Sequence, residues 1–186
     1  MKAYQIVMTG FAGVSGAGLI AEKKIGELRK RFPVFLVRNA VIDGQRNYGE
    51  ELLSFLKENG DDYEIAELER VGEGGVFKGL WNLGESADTG FSVDLKSIPI
   101  KQETVEICNY FDINPYELYS DGVFLILARD GYTLAEDLER SGIPAAVIGR
   151  THPLKKRVVC NNDEERFLEP PRGDSLVTVS KSGSII

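Results

Sequence analysis

Two glycine-rich stretches hold the residues best suited to chemistry: Val71–Trp81 (VGEGGVFKGLW) and Met8–Gly18 (MTGFAGVSGAG). In the first, Gly72, Gly74 and Gly75 accept positive φ and let a phosphate come close to the backbone. Tyr63–Val71 (YEIAELERV) before it alternates apolar and charged residues, the period of a half-buried strand. Val76, Phe77, Leu80, Trp81 and Leu83 after it recur at helical spacing, so a helix is expected to start near Gly75. Strand, glycine turn and helix together aim free backbone N–H groups at an anion, helped by the helix dipole. The plainer alternative is that the glycines only permit a tight turn. No Lys-Ser/Thr pair follows, so this is not a P-loop, and Gly72–Gly75 does not fit the dinucleotide fingerprint.

The second junction has the same form. Ala3–Thr9 reads as a strand, then Gly10, Gly13, Gly16 and Gly18 precede Leu19–Arg31, whose Leu19, Ile20, Ile25 and Leu28 form a helical stripe. Ser15 is the expected N-cap. Lys23, Lys24, Arg29, Lys30 and Arg31 fall in the later turns, where they suit the dipole and read as a solvated face rather than a ligand site.

The remaining candidates are weaker. His152 is the only histidine, which rules out a histidine-rich metal cluster. A Cys160–His152 dyad competes with the commoner half-buried, inert thiol. Asp61-Asp62 and the acidic run 162–165 have the groups for a divalent cation but sit where solvated turn charges are expected. Trp81, Phe77 and Leu80 read as core rather than a base-stacking platform. Arg29–Arg31 with Lys155–Arg157 make at most a local basic patch, opposed by a net charge of −7. No catalytic residue and no metal ligand is assigned.

These residues need elements to hold them. Tyr48–Asn59, Glu103–Phe111 and Thr133–Arg140 read as helices. Phe91–Leu95, Val123–Ala128, Ala145–Arg150, Lys156–Asn161 and Glu165–Leu168 read as strands, and Pro33–Asp43 is ambiguous. Val123–Ala128 is a continuous apolar run, as in a strand covered on both faces. Pro170-Pro171 is expected to close the folded part, giving one domain over 1–175 and a loose tail over 176–186. Strands alternating with helices define an α/β or α+β layered domain. A composition 42% hydrophobic and 27% charged is that of a globular protein. The negative charge speaks against nucleic acid or an acidic membrane surface, and no apolar run is long enough to span a bilayer. Cys108 and Cys160, far apart and forming no CxxC pair, fit reduced thiols in the cytoplasm.

From Ala3 to about Asp174 the chain resembles the C-terminal domain of the aminoimidazole ribonucleotide (AIR) synthetase superfamily, nearest its hydrogenase maturation factor branch. The resemblance rests on Met8–Lys24, Glu73–Glu85, Ile98–Leu118, Ser120–Ala128, Gly142–Arg150 and FLEPPRGD at Phe167–Asp174. It implies a layered sandwich with a mixed sheet flanked by helices. It also implies kinship with ATP-using enzymes, with catalysis in a cleft between two halves, magnesium held by acidic residues of the other half, and dimers commonly formed. The site residues it carries over are Gly74 and Gly75 facing a phosphate with Glu73 beside them, and Gly10, Gly13 and Gly16 as the first glycine loop.

The departures shape the expectation of function. Met1 lies a few residues before the first strand of that domain, so the family's amino-terminal half is not expected here, and with it goes catalysis by this chain alone. Relatives often place an Asp-x-Thr pair before the double glycine; Arg70 and Gly72 stand there instead, and the Arg favours an anion. The hydrogenase factor works through a C-terminal cysteine, whereas this sequence ends KSGSII. The expectation is a stand-alone phosphate- or nucleotide-binding or interaction module, with ATP and magnesium as the cofactors the resemblance implies. Its expected partner is a second copy or a protein supplying the missing half. The alternative is half of a split ATP-dependent enzyme.

Overall fold

The computed structural model describes residues 3–162 and 164–181. An interior strand is β1 (Gln5–Thr9), the first apolar strand of the sequence, with four of five residues buried. It is flanked on both sides by antiparallel neighbours, β4 (Phe124–Ala128) and β5 (Ala145–His152). β2 (Glu67–Arg70), β3 (Gly90–Asp94), β6 (Arg157–Asn161) and β7 (Glu164–Phe167) complete a seven-stranded sheet in the order β2-β4-β1-β5-β3-β6-β7. Only β3 and β6 pair in parallel, so the sheet is mixed.

Alternation along the strands sorts the side chains into two cores. Ile6, Met8, Leu125 and Leu127 face α5 (Gly75–Ser86), which contributes Val76, Phe77, Leu80 and Leu83. Val7, Ile126 and Ala128 face the other way, against Leu52 of α4 (Gly49–Asn59) and Leu134 and Leu138 of α7 (Gly131–Arg140). β4 is buried throughout, as its unbroken apolar run requires. A third cluster contains no strand residue. It joins α1 (Val14–Lys23), α2 (Ile25–Leu28), α3 (Val34–Gly44), α6 (Gln102–Phe111) and α8 (Ser175–Lys181).

Four details differ from the sequence reading. The expected strand over Tyr63–Val71 shrinks to β2, because Gly60–Tyr63 forms a 3-10 turn and Glu64 turns the chain at φ 47°. At the sheet edge β2 leaves Leu68 exposed, so its alternation does not put the apolar side inward. The expected helix over Leu19–Arg31 starts earlier, at Val14, and breaks at Lys24 into α1 and α2. The ambiguous Pro33–Asp43 is helical, with Pro33 just before the first turn and Leu36, Val37 and Ala40 on the buried side.

The chain also does not finish at Pro170-Pro171. It continues into α8, whose Val179 is 1% exposed in the third cluster, so the expected tail begins with packed helix. Residues 182–186 lie outside the described residues.

Candidate functional site

α5 begins where β2 ends, and the turn between them needs left-handed backbone. Gly74 (φ 80°) and Gly75 (φ 65°) supply it, conformations that cost a side-chain-bearing residue energy. Close packing demands glycine as well. A Cβ on Gly75 would lie 2.6–2.8 Å from backbone atoms of Tyr116 and Leu118.

The Gly74 N–H at this helix start points at a partner from a distant part of the chain. Gly74 N donates to Asp174 Oδ2 at 2.7 Å in a buried contact. The other oxygen of that carboxylate accepts from Leu176 N at 2.7 Å and Tyr119 N at 3.3 Å. Gly72 O accepts from Gly75 N and Ser120 N. The anion at the α5 N-terminus is thus the chain's own carboxylate. In the sequence only its place in FLEPPRGD marks Asp174, and charge pattern alone does not reveal a contact spanning a hundred residues.

The first glycine loop folds onto the same segment from its other side. Gly13 N donates to Ser120 Oγ at 2.8 Å, and Gly16 N to Tyr119 O at 2.9 Å. Gly10 N donates to Pro144 O at 2.8 Å. Ser15 is not the N-cap. Gly13 occupies that position at φ 67°, and Ser15, inside the first turn of α1, donates its hydroxyl to Asp121 O at 3.1 Å. Residues 115–121 therefore form a wedge between the two glycine loops, bringing together two stretches more than fifty residues apart in sequence.

Arg70 turns away from the double glycine. Its guanidinium pairs with Asp121 at 2.8 Å on an exposed edge, and Asp121 also accepts from Asn47. Glu73 is exposed beside the turn. Past Gly74 lies an open pocket of about 550 Å³, bounded by Phe77, Glu117, Arg166 and the segment 168–173. Phe77 and Tyr116 stack there at 5.2 Å, with the Arg166 guanidinium 5.7 Å from the Phe77 ring centre. A much smaller pocket, about 30 Å³, lies by Gly10, where Lys101 sits 4.4 Å over the Phe11 ring and 3.7 Å from Asp43.

The weaker candidates separate. His152 pairs with Gly90 at one end of β3 and Cys160 with Asp94 at the other, so they form no dyad. Burial, then Glu165 and Asp94, push the Cys160 thiol up, opposite to what a nucleophile needs. Trp81 lies under Arg157, whose guanidinium is 4.5 Å from the ring and also pairs with Glu85 at 2.5 Å. Lys155 is paired with Asp88, so part of the expected basic patch is neutralised. Among the described residues no group of three or more His, Cys, Asp or Glu is placed to hold a metal.

Residues 5–160 match the family described as AIR synthase related protein, C-terminal domain, and the chain belongs to that family. Its fold is similar to that of HypE from E. coli, with a TM-score of 0.71 at 16% identity, covering 96% of this chain and 53% of that one. It is also similar to a chain in a HypE-HypF complex, at TM-score 0.63 and 18% identity, covering 90% and 52%. Thiamine-monophosphate kinase from Stenotrophomonas maltophilia K279a follows at TM-score 0.63 and 19% identity, covering 88% and 51%. At these identities the likeness is one of fold. The chain spans about half the length of these structural relatives. No curated protein sequence matches it. Among the described residues no helix is long and apolar enough to cross a membrane.

Proposed function

We propose that this domain is a phosphate- or nucleotide-binding and docking module that does not catalyse by itself. The observation that carries the reading is the N-terminus of α5, where the Gly74 N–H lies 2.7 Å from a carboxylate oxygen. A twelve-residue helix opened by left-handed glycines and holding a carboxylate has the chemistry to hold a phosphate oxygen in its place. The phosphate-facing set is Gly72, Glu73, Gly74 and Gly75, with Gly10, Gly13, Ser15 and Gly16 shaping the wedge behind them, and Arg70 at the sheet edge. Phosphoryl transfer rests on positioning and metal-assisted charge stabilisation. The resemblance puts the magnesium-holding acidic residues in the family's other half, and this domain by itself is read as binding without turnover.

The module works in the cytoplasm and associates with a second copy or a partner protein. In support, α3 exposes Val34, Phe35 and Ile42, at 59%, 65% and 44%. A second reading is half of a split ATP-dependent enzyme, completed by another polypeptide. It is favoured by the coverage of only 53% of HypE and 51% of the thiamine-monophosphate kinase.

The test is a thermal-shift series of the full chain with ATP, ADP, AMP and inorganic phosphate, with and without magnesium. A ligand at a hundredfold excess over its Kd stabilises by about 2.7 kcal/mol, a rise of several degrees for a chain of this size. The rise is expected for phosphate-bearing ligands and should vanish in Gly74→Asp, which puts a negative charge at the site. No rise with any ligand removes the phosphate reading. ATP turnover gained only on adding a second polypeptide favours the split enzyme.

A further inference from the structure

We propose that the open edge of β2 is a docking site for an extended segment of a partner protein in which basic and apolar residues alternate. This specifies the docking part of the reading above and is independent of its phosphate part, which the thermal-shift series tests separately. β2 is an end strand of the sheet and pairs with β4. Val71 N donates to Val123 O at 2.9 Å, and Phe124 N turns the other way, to Thr9 of β1. Because antiparallel bonding alternates along a strand, the main-chain groups of Leu68 and Arg70 point to the open side. An edge of that kind accepts an added strand, with main-chain bonds supplying affinity and side chains supplying selectivity.

The side chains along this edge define what the added strand carries. Glu67 and Glu69 lie on the α5 face, in register with Leu127 and Leu125 of the first core. They stand about 7 Å apart, the spacing of alternate residues on a partner strand. Glu69 accepts from Asn82 of α5 at 2.8 Å, which holds that carboxylate at the edge. Leu68, 37% exposed, and Arg70 lie on the α4 face, in register with Ile126 and Phe124. There a groove of about 440 Å³ runs past Leu53, 51% exposed, with Phe124, Arg70, Glu50 and Glu51 around it. Arg70 is paired with Asp121, so its charge is met within the chain. A second copy of β2 does not suit this edge. A two-fold about Leu68 sets Glu67 against Glu69, and one about Arg70 sets guanidinium against guanidinium, like-charge pairs that destabilise. Lysine or arginine opposite Glu67 and Glu69, with apolar residues between them over Leu68 and the groove, satisfies both faces. The net charge of −7 draws such a segment in.

The experiment titrates the full chain with an acetylated heptapeptide of alternating lysine and valine, reading affinity by calorimetry and amide exchange by NMR. The controls are the same residues with the lysines in one block, and an alternating glutamate–valine peptide. The alternating lysine peptide is expected to bind about tenfold tighter than either control. It should also slow exchange at Leu68 and Arg70 by about tenfold or more, as an added strand does. Glu67→Lys combined with Glu69→Lys should weaken its binding about tenfold and strengthen that of the glutamate peptide. No binding, equal binding of the blocked peptide, or binding that leaves exchange at Leu68 and Arg70 unchanged overturns the docking edge. Equal affinity in the double variant overturns it as well. If the double variant fails to fold, the peptide comparison and the exchange in the wild type decide. Phosphate binding, present or absent, leaves each of these outcomes as it stands.

Discussion

The Asp174 carboxylate and the Gly74 N–H, a hundred residues apart in the chain, meet at 2.7 Å. Hydrogen bonds to a buried charged group contribute about 1.5–3 kcal/mol, and removing the acceptor leaves buried donors unmet. Asp174→Ala should therefore lower unfolding stability by about 1.5–3 kcal/mol, read from urea denaturation at neutral pH. A loss below a few tenths would show that water or another group replaces the carboxylate at no cost.

α1 and α3 cross at their glycines. A Cβ on Gly18 would come within 2.7 Å of Gly44 Cα, and one on Gly44 within 2.6 Å of Gly18 Cα. Backbone cannot swing aside as a side chain does, so Gly18→Val is expected to cost about 1–3 kcal/mol or more by overpacking. The exposed Gly26, with nothing within 4 Å of its Cβ position, is the control, and Gly26→Ala should leave the melting temperature nearly unchanged.

Tyr63 gives the fold a dependence on alkaline pH. Burial, then its hydrogen bond to Asp137 at 2.8 Å and that carboxylate's charge, push its phenol up to about 12. In the unfolded chain the group titrates near its ordinary value of about 10. Between those values the unfolded chain binds fewer protons, so stability falls as pH rises. The decline should flatten in Tyr63→Phe, measured as denaturation midpoints from pH 9 to 12; an unchanged slope would assign the decline to other groups.

The two thiols should react in a fixed order. Burial alone pushes Cys108 up to about 12, and it is 1% exposed in the helical cluster, whereas Cys160 is half-buried on β6. A thiol reagent at pH 8 is expected to label Cys160 slowly and Cys108 only on unfolding. Fast labelling of Cys108 in the native protein would mean that the third cluster opens readily.

Local sequence made much of this legible where packing follows from near neighbours. The run Phe124–Ala128 reads as a buried strand, and the Val76–Leu83 stripe reads as α5. Gly74 and Gly75 show themselves as a helix-starting turn because only glycine takes that backbone readily. Long-range contacts were hidden. Nothing near Ser15 shows that its hydroxyl reaches Asp121 rather than capping α1, and nothing near Arg70 shows that Asp121 takes its charge. Leu68 misleads because alternation gives a strand its two faces but not its place at the sheet edge. Asp174 is the largest such gap, since its contacts with Gly74 and Tyr119 come from distant sequence that no periodicity announces.

The most direct measurement is a nitrogen–proton NMR titration of the full chain with inorganic phosphate and then ATP, following backbone amides. If the start of α5 is the phosphate site, the Gly74 and Gly75 amides shift first and saturate together. Shifts confined to other parts of the chain, or none up to millimolar phosphate, would contradict a phosphate site at the double glycine.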